Sequence, residues 1–277
     1  MSSTEYTLCR TKEAVTRSLK VISAAPHIVL DLEGRDLGAE GGHLSILTVR
    51  ANDQTFIFDA VVLSGAAMKP LFAVLAADQP AKIMYDGRRD WCELYHAYGV
   101  EIGGVLDMQI ADITSRSVRR ETRQGQLERL IWPLPRGIVM KRSDVFKHVH
   151  RLLSLQVCLT EHGITSAKKG RVDHSAWLKR PLSEESLVYA AQDVYLIGEL
   201  YMKLISSGFI RTKLVAQSAR YVRLWKGARP RIDDRFKSHP FLMLDILEND
   251  PSASRKICSG CARSLSQRCF SKKRGKV

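Results

Sequence analysis

His27-Ile28-Val29-Leu30-Asp31-Leu32-Glu33 is the stretch on which the reading of this chain turns. Its apolar residues are Ile, Val and Leu, and Pro26 before it and Gly34 after it hold it to strand length. The run predicts a buried strand interrupted by two acids. Side chains alternate along a strand, so Asp31 and Glu33 project from one face as neighbours. Two adjacent carboxylates in an apolar strand are costly unless a cation neutralises them, and all-oxygen ligands suit Mg²⁺ or Mn²⁺. The competing reading is a strand end at which both acids are simply solvated, and the stretch alone leaves both readings open.

Working outward, Ala14, Val15, Leu19 and Ile22 recur at helical spacing before Pro26. After the strand a Gly-rich turn spans 38–42. Apolar runs at 44–49 and 55–58 then flank Ala51-Asn52-Asp53, which reads as a hairpin. A helix around 68–75, a strand at 82–85, a helix at 90–98 capped by Gly99, and a short strand at 104–107 follow. Five strands interleaved with helices predict an α/β fold with a mixed sheet. The stretch 116–142 reads as irregular and basic, broken by Pro133 and Pro135; it is either a contact for a substrate backbone or a surface insertion. Helical periodicity returns over 145–161, over 183–206 behind a capping Ser183 and the acids Glu184 and Glu185, and over 212–225.

The 277 residues are 45% hydrophobic and 26% charged, an ordinary composition for a globular chain. No apolar run is long enough for a transmembrane helix, and Met1 to Arg10 lacks the apolar stretch of a secretory signal. An intracellular location, nuclear or cytoplasmic, is therefore expected. The net charge of +14 suits a polyanionic partner such as nucleic acid. Eight of the positive charges lie between Arg255 and Lys276, with no acid after Asp250. That basic tail reads either as a solvated end or as a small zinc knuckle, with Cys258, Cys261 and Cys269 as ligands and a fourth undefined. Lys272-Lys273-Arg274 equally fits a nuclear address. Cys92 and Cys158 stand in apolar helical contexts, where buried thiols are expected rather than disulfides.

Two further positions bear on the acids of the first strand. Tyr189 and Asp193 stand four apart on a strongly helical segment, so they share a face. There the acid can bind metal while the phenol reaches a water; a plain surface pair is the alternative. Asp90 opens its helix, where a capping role is equally available.

Taken together, Asp31-Leu32-Glu33, the segment from Lys82 to Asp90 and Trp91, and Tyr189 to Asp193 resemble, in order, the three exonuclease motifs of DEDD nucleases. Leu106-Asp107-Met108-Gln109 is similar to a further ribonuclease D segment. Trp177-Leu178-Lys179-Arg180-Pro181-Leu182-Ser183, leading into Tyr189-Ala190-Ala191-Gln192-Asp193-Val194, nearly repeats that family's approach to its third motif. The resemblance covers about residues 7 to 210, and Tyr189 in place of a histidine marks the DEDDy subgroup. It implies a ribonuclease H-like fold, an exonuclease domain over 1–228 and a C-terminal extension over 229–277. It also implies two divalent ions held by Asp31, Glu33, Asp90 and Asp193, with Tyr189 orienting or deprotonating the attacking water. The reaction implied is 3′→5′ removal of nucleoside 5′-monophosphates from single-stranded nucleic acid with a free 3′ end, RNA slightly ahead of DNA. The alternative is an adaptor that binds nucleic acid on the same fold without turnover. Tyr85 stands where ribonuclease D has a histidine, and Asp86 offers a second acid near Asp90; Asp86 and Arg88 read as helpers or as a local ion pair.

Overall fold

The computed structural model describes residues 5–165, 172–234, 239–250, 252–259 and 263–270. The chain runs β1 (Thr7–Cys9), α1 (Lys12–Ala24), β2 (His27–Arg35), β3 (His43–Ala51), β4 (Gln54–Asp59), α2 (Gly65–Ala76), β5 (Ala81–Met84), α3 (Arg88–Tyr98) and β6 (Val105–Asp107). It continues through α4 (Met108–Val118), α5 (Arg123–Ile131), α6 (Arg136–Lys141), α7 (Leu155–Glu161), α8 (Glu184–Ser206), α9 (Lys213–Val222) and α10 (Leu244–Leu247). The hairpin β7 (Arg255–Ile257) and β8 (Ser264–Ser266) ends it.

The central sheet has the order β1-β4-β3-β2-β5-β6, antiparallel for β2-β3-β4 and parallel at β1-β4, β2-β5 and β5-β6. It is mixed as expected, but six-stranded rather than five-stranded. The additional strand is Thr7–Cys9, whose three residues are too short to show alternation and whose partner, β4, lies far along the chain. Both faces of the sheet are covered. Ile28, Leu30 and Leu32 of β2 join Val15, Ile22, Leu71 and Trp91 in one core, on the side of α1, α2 and α3. Val29 projects from the other face into a second core with Val194, Ile197 and Leu200 of α8. That alternation explains the site, because Asp31 and Glu33 continue the face of Val29 and so point toward α8.

Two sequence readings are corrected. The stretch 116–142 contains the end of α4 and two short helices. Thr122 caps α5 by accepting from Gly125 N–H, and Pro133 and Pro135 fall in the link between α5 and α6. Over 145–161 only Leu155–Glu161 is α-helical. A 3₁₀ turn covers Ser143–Phe146, and Arg151 forms a β-bridge with Phe241, so long-range pairing overrides the local period there. Residues 239–250, which the sequence places in the extension, lie against the body. Leu242 and Ile246 are buried in the second core, and Arg220 donates to the Ile246 carbonyl. Among the described residues no helix is long and apolar enough to cross a membrane.

Candidate active site

The cleft is assembled from four elements, each fixed by local chemistry. β2 supplies Asp31 and Glu33. Just beyond them the register shifts between Glu33 and Gly34, and a Cβ on Gly34 would sit 2.2 Å from the His43 carbonyl oxygen. The bulge turns the strand end outward at the position where the acids need room. The following loop is fastened to α3: Gly38 N–H donates to Glu93 at 2.9 Å, and the Cys92 thiol donates to the Gly38 carbonyl at 3.1 Å. Gly38 has φ +73°, and a Cβ there would meet the Arg89 backbone at 2.7 Å, so both its conformation and its close approach require glycine.

α8 brings Tyr189 and Asp193, one turn apart. Ser183 caps it by accepting from Ser186 N–H, and Glu184 and Glu185 sit at the positive end of its dipole. The strap before it is tied to the sheet. Arg180 makes a bidentate pair with Asp59 at the end of β4, with Nη2 2.7 Å and Nε 3.0 Å from its oxygens, and Trp177 is buried. The Trp177 carbonyl also accepts from Ser45. The sequence run 177–183 therefore acts as a clamp that sets where α8 begins. The Tyr189 ring lies beside His174 and Trp177, with centroids 6.2 Å and 6.3 Å away.

Carboxylate oxygens of Asp31, Glu33 and Asp193 lie within 4.8 Å of one another. They line a cleft of about 780 Å³ together with Asp90, Tyr189, Asp86, Arg35, Asp36, Arg89, His174 and Ser175. Asp90, in the first turn of α3, is buried. Its carboxyl is pushed well above the ordinary range, first by burial and then by the charges of Asp31, Asp86 and Glu33. All five residues singled out in the sequence thus face one space, three of them as a tight oxygen cluster. An all-carboxylate donor set fits divalent Mg²⁺ or Mn²⁺ and does not fit a soft metal.

Asp86 and Arg88 form a local ion pair: Arg88 Nε and Nη2 lie 2.5 Å and 2.8 Å from the Asp86 oxygens, and the guanidinium lies 4.8 Å from the centre of the Tyr221 ring. Tyr85 lines the cleft and donates to the Leu153 carbonyl at 2.9 Å. Sequence reasoning missed Arg35, Asp36, Arg89, His174 and Ser175 as cleft residues. No periodicity or spacing in the sequence marks them, because the Gly38 contact and the clamp are what bring them there.

A second group, Asp112, Cys158 and His162, also has ligand atoms within 4.8 Å and is wholly buried between α4 and α7. Here Asp112 is already compensated. Arg116 lies 2.7 Å from it, Arg119 3.0 Å and His162 3.0 Å. Neither group contains Cys258 or Cys269, and Cys261 lies outside the described residues. Cys258, just after β7, donates its N–H to the Arg263 carbonyl at 2.9 Å, and Cys269, in the turn after β8, has Sγ 3.8 Å from Ser266 Oγ. Among the described residues nothing supports a zinc site there.

A family model described as 3′-5′ exonuclease matches residues 6–207. The piRNA biogenesis protein EXD1 of Bombyx mori is 24% identical over 137 residues, which is 47% of this chain and 43% of that protein, so the match spans less than half its length. Among solved structures, RNase D of Trypanosoma brucei superposes with a TM-score of 0.65 at 24% identity, covering 88% of this chain and 80% of that one. The same enzyme in complex with RNA U12 gives 0.63 at 21% identity, over 88% of this chain and 78% of that one. Escherichia coli RNase D, an exoribonuclease involved in structured RNA processing, gives 0.54 at 18% identity, over 80% of this chain and 54% of that one. At these identities the structural likeness establishes the ribonuclease H-like exonuclease fold.

Proposed function

This chain belongs to the 3′–5′ exonuclease family, and we propose that it hydrolyses single-stranded nucleic acid from the 3′ end, releasing nucleoside 5′-monophosphates. The observation that carries the proposal is the convergence of Asp31, Glu33 and Asp193, with Asp90 and Tyr189, on one open cleft. Divalent cations bound by these four carboxylates would supply Lewis-acid polarisation of the phosphate and acidify the attacking water. Tyr189 stands one helical turn before Asp193 and is braced by Trp177 and His174, so its phenol is positioned to orient that water or take its proton. Arg35 and Arg89 on the cleft wall supply positive charge for the phosphate backbone. Recognition through the backbone predicts weak sequence preference. RNA is the first substrate to test, because an RNase D of similar fold has been crystallised with RNA U12 and the charge of +14 favours a polyanion.

The test uses the full chain with 3′-labelled and 5′-labelled single-stranded RNA and DNA, in Mn²⁺ or in EDTA. Release of the 3′ label as mononucleotide in Mn²⁺ alone is expected, with RNA cleaved at least as fast as DNA. Binding without release under every divalent metal tested would overturn the enzyme in favour of a nucleic-acid adaptor.

A further inference from the structure

Trp132 is 82% exposed, whereas Trp91, Trp177 and Trp225 are buried. Leaving an indole in water forgoes a large apolar burial. This one is covered only in part by a cation: the Arg151 guanidinium lies 4.9 Å from its ring centre. Residues 119–151 carry nine Lys and Arg against three acids, Glu121, Glu128 and Asp144. Arg123, Arg136 and Lys141 on the same helical pair, and Arg120 and Arg142 flanking it, are exposed. An exposed aromatic face set in surplus positive charge matches a base on a polyanionic chain.

The platform is joined to the cleft. A groove of about 410 Å³ shares Tyr85, Asp86 and Arg89 with the cleft and runs on to Leu152, His239 and Pro240. Its far wall is one packed unit with the platform. Leu152 N–H donates to the Pro240 carbonyl at 2.8 Å, and Arg151 forms a β-bridge with Phe241. Phe241 in turn packs against the small core of Leu127, Leu130 and Val139 formed by α5 and α6.

We propose that the groove and the Trp132–Arg151 pair form a track for single-stranded nucleic acid, in which Trp132 stacks on a base 5′ of the end held in the cleft. The proposal rests on the exonuclease reading for its direction, since the cleft must hold the 3′ end. Stacking on Trp132 adds affinity for long strands and nothing for a strand too short to reach it. Because Trp132 is exposed, its replacement leaves the core intact.

The test is acrylamide quenching of intrinsic tryptophan fluorescence in the full chain carrying Asp31→Asn, with a 12-nucleotide or a 3-nucleotide single-stranded RNA. Trp132 should account for the quencher-accessible emission. The 12-mer should shield it and the 3-mer should leave it accessible. Adding Trp132→Ala should weaken 12-mer binding by about tenfold, while Trp132→Phe retains most of it. In the chain with Asp31 intact, Trp132→Ala should leave turnover of the 3-mer unchanged and raise KM for the 12-mer. Quenching that persists with bound 12-mer, or equal 12-mer affinity in Trp132→Ala, overturns the track and would leave the exposed indole to a protein partner. Shielding without nucleotide release from the Asp31 chain would keep the track and sink the exonuclease reading.

Discussion

Asp31, Glu33 and Asp193 meet where β2 faces α8, and Asp112, Cys158 and His162 meet between α4 and α7, each group with its ligand atoms within 4.8 Å. By spacing the two are equivalent. They differ in what surrounds them. Around Asp112 stand Arg116, Arg119 and His162, and although burial disfavours the charged form, the His162 hydrogen bond and the Arg116 charge outweigh it and hold the carboxyl below its usual range. In the cleft the neighbours of the three acids include Asp90 and Asp86, and the Asp90 carboxyl is driven upward. One group is a closed ion-pair network that ties α4 to α7. The other opens on a cleft, where Asp90 and Asp86 add further carboxylates beside it. Ligand spacing nominates both groups, and access to an open cleft separates the one from the buried ion-pair network.

The comparison can be broken most severely at Asp31. Asp31→Asn should lower exonuclease turnover by about a thousandfold while nucleic-acid binding and thermal stability stay close to the parent. Retained turnover would show that the cleft group is not the reacting centre. Asp112→Asn should do the reverse, because it leaves the buried Arg116 and the half-buried Arg119 without their carboxylate. A loss of about 3 kcal/mol in unfolding free energy is expected, read by urea denaturation, with per-molecule turnover of the folded fraction unchanged. Tyr189→Phe should reduce turnover by about a hundredfold and leave affinity for a single strand intact, which separates a water-positioning phenol from a packing ring.

The smallest expected effect concerns acid. The Asp112 carboxyl is lowered in the folded protein, against about 3.9 unfolded. Its stabilisation is therefore present above that unfolded value and is lost as pH falls through the lower folded one. The stability gap between the parent and Asp112→Asn should be constant near neutrality and should shrink below about pH 4. A gap that closes instead on the alkaline side would mean the pairing is misassigned.

What the sequence made legible follows from how local each feature is. Asp31 and Glu33 were readable because a period of two and flanking Pro26 and Gly34 define β2 without outside help. Tyr189 and Asp193 were readable for the same reason at helical spacing. Asp90 needed the resemblance, since a helix-opening acid is ordinary alone. His174, Ser175, Arg35 and Arg89 were not readable, because contacts between distant segments place them: Arg180 on Asp59, and Gly38 against Arg89. The same holds for β1, whose three residues become a strand only through β4, and for 147–154, where the Arg151–Phe241 bridge replaced the expected helix. The basic stretch after Arg116 read as irregular because its prolines suggested a break, whereas they separate two helices.

The claim that the cleft group, and not the buried one, holds the metal is tested most directly by calorimetric titration of Mn²⁺ into the parent chain, Asp31→Asn and Asp112→Asn at equal folded concentration. The account predicts binding to the parent, unchanged binding to Asp112→Asn, and loss of it in Asp31→Asn. Binding that survives Asp31→Asn and disappears in Asp112→Asn would contradict it and would move the metal site to α4 and α7.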